Sequence, residues 1–205
     1  AGITDYWVSQ TANSCESARS KLTVTVYVIP AAPIVSNVAY CVGESASALT
    51  ATGISLKWYS VATGGTANTA PTPSTSMTGT TDYWVSQTTN GCESSRSKIT
   101  ATVYAIPSAP TVSNVAYCVG ETASALMATG TSLKWYTTAT GGTAMTTAPI
   151  PSTNTAGTTD YWVSQTANSC ESARSKLTVT VYAIPAAPIV SNVAYCVGES
   201  ASVLM

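Results

Sequence analysis

The sequence predicts an all-β protein built as a series of small sandwich domains, and three observations carry that prediction. First, blocks of sequence recur at a long fixed interval: Cys15, Cys92 and Cys170 each sit in an N-[SG]-C-E-S turn, 77 and then 78 residues apart. Cys41, Cys118 and Cys196, each in an A-Y-C-V-G-E turn, keep the same two spacings, as do the T-D-Y-W-V-S-Q strings beginning at Thr4, Thr81 and Thr159. Second, apolar and polar residues within each block alternate with the period of a strand, and no helical period appears. Third, glycine-bearing turn pairs, Gly64-Gly65 and Asn90-Gly91, fall between the alternating runs. A repeat this long is one domain rather than one coil of a solenoid.

Proline places the joints. Pro30-Ala31-Ala32-Pro33, Pro107-Ser108-Ala109-Pro110 and Pro185-Ala186-Ala187-Pro188 recur between blocks, and proline stiffens a linker while donating nothing to a ladder. The predicted domains are therefore 31–107 and 108–185, flanked by a C-terminal part of a repeat at 1–30 and an N-terminal part at 186–205. Both flanks are out of phase with the joints, so further copies are expected beyond them.

Within residues 31–107, strands are predicted at 34–40, 47–52, 55–61, 66–69, 75–78, 81–87 and 97–104. Alternation sends Leu56, Trp58, Tyr83, Val85, Ile99, Ala101 and Val103 to one face, the predicted core. The chain contains no phenylalanine, which leaves this tryptophan and tyrosine as the large core fillers. The opposite face carries Lys57, Tyr59, Asp82, Trp84, Lys98, Thr100, Thr102 and Tyr104.

Several of these segments resemble a known family. Tyr40-Cys41-Val42-Gly43, the Leu49-Thr50-Ala51-Thr52-Gly53 strand, Lys57-Trp58-Tyr59, Ala62-Thr63-Gly64-Gly65-Thr66, Asp82-Tyr83-Trp84-Val85 and Asn90-Gly91-Cys92-Glu93 are similar to the immunoglobulin-like repeats of very large surface and secreted proteins of gliding Bacteroidota. The resemblance recurs in every copy. It implies an immunoglobulin-like sandwich with Trp58 on its third strand, and a spacer role in adhesins, gliding-associated proteins or exported enzymes.

Composition agrees with a location outside the cell. Charged residues are 8% of the chain, serine and threonine together about 30%, and the net charge is −1. Such a charge gives no field for steering toward nucleic acid. No apolar run is long enough to span a membrane. Two cysteines per repeat, no histidine and no C-x-x-C pair favour disulfides over a zinc site, and disulfides belong to extracellular or surface compartments. No cofactor is called for.

The pairing of the cysteines stays open on sequence alone. Cys41 to Cys92 and Cys118 to Cys170, each within one domain, is the simplest arrangement. Strand parity, however, places Cys41 and Cys92 at opposite poles of one domain, about 20 Å apart, whereas a disulfide needs Cα atoms within about 7 Å. Head-to-tail stacking offers Cys41 to Cys170 instead, and sequence-adjacent pairs such as Cys92 to Cys118 are a third arrangement. Cys15 and Cys196 occupy the matching positions in the flanking copies.

The outer face raises a second question. Strands three, six and seven are neighbours in such a sandwich, so Tyr59, Trp84 and Tyr104 are candidates for one exposed aromatic patch, repeated as Tyr136, Trp162 and Tyr182. Three uses fit: cross-strand pairing that only stabilises the sheet, lateral packing of identical chains in a filament, or stacking on surface glycans. Catalysis finds no support, since histidine is absent and carboxylates recur singly in each copy. Calcium at the joints is disfavoured because the Pro-Ala-Ala-Pro segments hold no carboxylate; Glu44 and Glu93 lie nearest, and both are expected to face solvent or pair with Arg96. The sequence thus reads as a non-enzymatic extracellular shaft of tandem domains in an adhesin or surface filament, with repeated carbohydrate binding as the alternative.

Overall fold

The computed structural model describes residues 1–200, and among these every regular element is a strand. Two compact units emerge. The first takes in Ala1–Ser108 together with Thr166–Ser172, and the second Ala109–Gln165 with Ala173–Met205.

The first unit begins with β1 (Gly2–Val8) and β4 (Ser20–Val26), paired antiparallel throughout, with β2 (Thr11–Ala12) and β3 (Cys15–Glu16) forming a short hairpin between them. Leu22 and Val26 match buried positions of the next copy, yet they are 60% and 59% exposed. Two strands alone provide no second layer to cover them.

The complete repeat follows with β5 (Val38–Cys41), β6 (Leu56–Tyr59), β7 (Gly79–Thr89), β8 (Cys92–Glu93) and β9 (Ser97–Tyr104). Its main sheet runs β5-β9-β7-β6, with β5 parallel to β9 and the other pairs antiparallel. Alternation along β9 buries Ile99, Ala101 and Val103, which meet Val85, Trp58 and Leu49; Leu56 and Tyr83 pack half-buried at the margin.

The second layer is thinner than the sequence predicts. The segments 47–52, 66–69 and 75–78 do not form ladders; isolated bridges at Ile34↔Thr52 and Trp58↔Asn68 replace them. Leu49 still closes the core because its backbone N–H donates to Pro71 O at 2.9 Å. Alanine, serine and threonine offer little apolar area in these stretches, and Pro71 and Pro73 interrupt any continuous pairing. The first predicted strand is likewise shortened to β5. Before it, the side chain of Asn37 replaces a backbone partner, its Oδ1 accepting from Thr100 N at 2.9 Å.

The second unit repeats the plan. Its strands are β10 (Thr111–Val112), β11 (Val115–Cys118), β12 (Ala128–Thr129), β13 (Leu133–Tyr136), β14 (Gly157–Ala167), β15 (Cys170–Glu171) and β16 (Ser175–Tyr182), the tip from Thr166 through β15 grouping with the first unit. The main sheet runs β11-β16-β14-β13. Here β10 and β12 pair as a two-stranded second layer over Leu126, Trp135, Val163, Leu177, Val179 and Val181.

Hairpin turns show where the copies differ energetically. Asn90 (φ 50°) and Gly91 (φ 77°) are both left-handed, as a two-residue type I′ turn requires. The other copies place serine at the second position, Ser14 at φ 63° and Ser169 at φ 66°. A Cβ is disfavoured there, so Ser169→Gly should stabilise the protein by about 0.5–1 kcal/mol, read as a rise in denaturation midpoint at unchanged m-value.

Candidate functional site at the cysteine poles and the outer sheet face

Two sets of residues recur with more regularity than packing alone demands: the aromatic residues of the outer face and the cysteine turns. The aromatic set does not form the exposed patch that alternation suggested. Tyr59 and Tyr136 are only 6% and 4% exposed, because the guanidinium of Arg96 lies 3.2 Å from the ring centroid of Tyr59 and that of Arg174 lies 3.2 Å from that of Tyr136. These arginines are held over the rings by the glycine turns. Arg96 donates to Val61 O (2.7 Å) and Gly64 O (2.8 Å), and Arg174 to Thr138 O (2.8 Å) and Gly141 O (2.9 Å). A cation over a desolvated ring is an attractive contact, and here it seals the face.

Trp84 and Trp162 are half-buried, each in register beside a capped tyrosine through Tyr59↔Trp84 and Tyr136↔Trp162. Tyr104 shares the face but lies six residues along β9 from Lys98, the partner of Trp84, a separation of about 20 Å. Polar residues fill that interval. Asp82 takes a 2.7 Å ion pair from Lys98 and a 2.7 Å hydrogen bond from Thr100, and Asp160 receives the same from Lys176 (2.6 Å) and Thr178 (2.7 Å). The lysine contact foremost, and then the threonine, holds both aspartate carboxyls below their usual range.

The cysteines of one repeat sit at opposite ends of β9. Cys41 pairs in register with Tyr104 at its end, while Cys92 lies on β8, beyond the point where Val85 meets Ser97 at its start. Bonding within a repeat is therefore excluded by the length of the strand. The structure instead joins Cys41 to Cys170, with Cα atoms 5.6 Å apart and a sequence separation of 129. Cys15, Cys92, Cys118 and Cys196 are free thiols.

Each A-Y-C-V-G-E turn is a rigid pole. At the first, Cys41 N donates to Glu44 Oε2 (2.8 Å), Glu44 N to Cys41 O (3.0 Å), Val42 N to Tyr104 O (2.9 Å) and Gly43 N to Thr75 O (2.9 Å). Thr75 Oγ1 adds a bond to Glu44 O at 2.6 Å. A cleft lined by Tyr40, Cys41, Glu44, Tyr104, Asn168 and Ser169 opens beside Cys41.

A family model described as "Ig-like domain CHU_C associated" matches residues 30–104 and again residues 107–182. The chain belongs to this family of Ig-like domains. Solved structures that the chain matches include Sidekick-1 immunoglobulin domains 1–5, at 15% identity over 76% of this chain and 38% of that one, with TM-score 0.30. Human protocadherin-24 EC1-2 is 12% identical over 76% of this chain and 100% of that one, TM-score 0.26. The Ig1-2 module of the Drosophila receptor tyrosine phosphatase DLAR is 12% identical over 74% and 96%, TM-score 0.26. The chain thus spans well under half of the Sidekick-1 structure. Among curated proteins none matches it in sequence.

Sequence reasoning missed the role of Glu93 in the Ig-like repeat. It does not pair with Arg96; it accepts from the hydroxyls of Ser86 and Tyr59 (both 2.6 Å) and from Lys57 Nζ (3.1 Å). The Ser86 bond first, then those of Tyr59 and Lys57, lower its pKa from 4.5 to about 2. A carboxylate with a depressed folded-state pKa stabilises fully above its unfolded value, and that contribution is lost as pH falls from about 4.5 toward 2. Glu93→Gln should accordingly be less stable than wild type at pH 7 and indistinguishable from it near pH 2, as measured by urea midpoints across that range.

The signal that would have revealed the capped tyrosines is the arginine four residues after each hairpin cysteine, Arg19, Arg96 and Arg174, at constant offset in all three copies. Its target is not local in sequence, and alternation alone assigns a face without naming what covers it.

Proposed function

We propose that the chain is a segment of an extracellular structural shaft in which Ig-like repeats are cross-linked in series, so that the string resists extension. The observation that carries this reading is the Cys41–Cys170 disulfide, which ties cysteines of two consecutive repeats. A bond inside a domain would protect only that domain. A bond spanning 129 residues shortens the path along which load passes through the chain. The outer face suits the same role, because lysine–aspartate pairs and threonines in every copy keep a weakly charged protein hydrated. The shaft acts without catalysis, as part of an adhesin or a filament at the surface of a bacterium.

Carbohydrate binding along the aromatic face loses its main support, since Tyr59 and Tyr136 are capped and Tyr104 stands apart from Trp84. Lateral packing of identical chains through the same patch loses it for the same reason. Stretching single molecules before and after disulfide reduction tests the shaft directly: extra length released on reduction supports it, and unchanged length refutes it.

A further inference from the structure

The two complete repeats run in step from Lys57 and Lys134 as far as Asn68 and Met145, and there they part. Asn68-Thr69-Ala70-Pro71 in the first is Met145-Thr146-Thr147-Ala148-Pro149 in the second, longer by one residue and with methionine in place of asparagine. The backbone bridge is the same in both, Trp58↔Asn68 and Trp135↔Met145. The side chains differ in where they go. Met145 packs against the core of its repeat together with Ala148 and Tyr161. Asn68 is exposed and its carboxamide donates to Thr66 O at 3.0 Å, while Ala70 is exposed as well. Among the described residues, positions 66–71 add no hydrophobic side chain to the first core.

A pocket of about 290 Å³ stands at this place in the first repeat. Trp58, Tyr83, Ala70 and Pro71 give it apolar walls, Ser60 and Asn68 give it polar groups, and no charged residue lines it. An ionised ligand would lose its hydration there without gaining a partner. The second repeat shows what shape suits the place: an unbranched thioether chain, that of Met145, packs against the core that holds Trp135.

From these observations we infer that the pocket beside Trp58 binds a small neutral ligand with an unbranched alkyl or thioether chain, which takes the place that Met145 fills in the second repeat. The polar end of such a ligand meets the Ser60 hydroxyl or the Asn68 carboxamide. Trp58 and Tyr83 come together only in the folded repeat, so the ligand binds the native state alone and stabilises the first repeat in proportion to how far its concentration exceeds Kd. A straight-chain alcohol such as hexanol is expected to bind with a Kd on the order of 1 mM, the range open to so few non-hydrogen atoms. The inference stands apart from the shaft reading, because it concerns one repeat and no cross-link.

The test titrates the full chain, labelled for NMR, with hexanol and in parallel with cyclohexanol, the same carbons closed into a ring. Hexanol is expected to shift the resonances of Trp58, Tyr83 and Ala70 saturably, and cyclohexanol to bind about fivefold more weakly because a ring does not follow the path of a methionine chain. Asn68→Met puts the pocket's own filling in place. It should weaken hexanol binding about tenfold or more and raise the denaturation midpoint of the first repeat, which also shows that the variant is folded. The wild-type shifts locate the site without recourse to any variant. Shifts that do not saturate, shifts centred away from Trp58, equal binding of the two alcohols, or a folded Asn68→Met chain that binds hexanol as wild type does would each overturn the inference.

Discussion

Trp58→Ala is expected to cost about 3–5 kcal/mol and to unfold the first repeat alone. The indole is 4% exposed and sits against Leu49, Val85 and Ile99, so its removal leaves a cavity that a thin second layer cannot collapse to fill. A domain this small has about 5–15 kcal/mol of stability at most, so the loss is a large part of the total. The second repeat keeps its own core around Trp135 and Leu126. Denaturant unfolding followed by circular dichroism should therefore change from one transition to two, the earlier one shifted strongly and the later one at the wild-type midpoint. Trp84→Ala provides the contrast: half-buried and paired across the strand with Tyr59, it should cost about 1 kcal/mol or less. Equal losses from the two substitutions would mean that the core has been assigned to the wrong face.

The core and the main sheet were legible because period-2 alternation records which residues share a face. That pattern places Trp58, Val85, Ile99, Ala101 and Val103 together, and these residues are buried in the structure. The second layer was not legible. Its segments are too poor in large apolar residues for alternation to carry energy, and single bridges with proline carbonyls take the place of ladders. Tyr59 was misplaced for a related reason: what buries it is a guanidinium from a residue 37 positions away, anchored by backbone carbonyls of the intervening glycine turn. Strand parity did place the two cysteines of a repeat at opposite ends of one strand, and the choice between the remaining pairings then depended on contacts that no periodicity encodes.

The disulfide carries the second large effect. By the chain-entropy relation, closing a loop of 129 residues restricts the unfolded chain by about 5 kcal/mol, and under load the same closure removes those residues from the extensible path. Reduction, or Cys41→Ser, is therefore expected to leave both repeats folded at rest and to change mainly how far the chain extends once its domains give way.

Pulling single molecules from end to end by force spectroscopy tests this most directly. The sequence separation of 129 between Cys41 and Cys170 is hidden length, about 430–460 Å when fully extended. The account predicts that the oxidised protein reaches a final contour length shorter by that amount than the reduced protein, with Cys41→Ser matching the reduced form in both conditions. Equal contour lengths before and after reduction would contradict it.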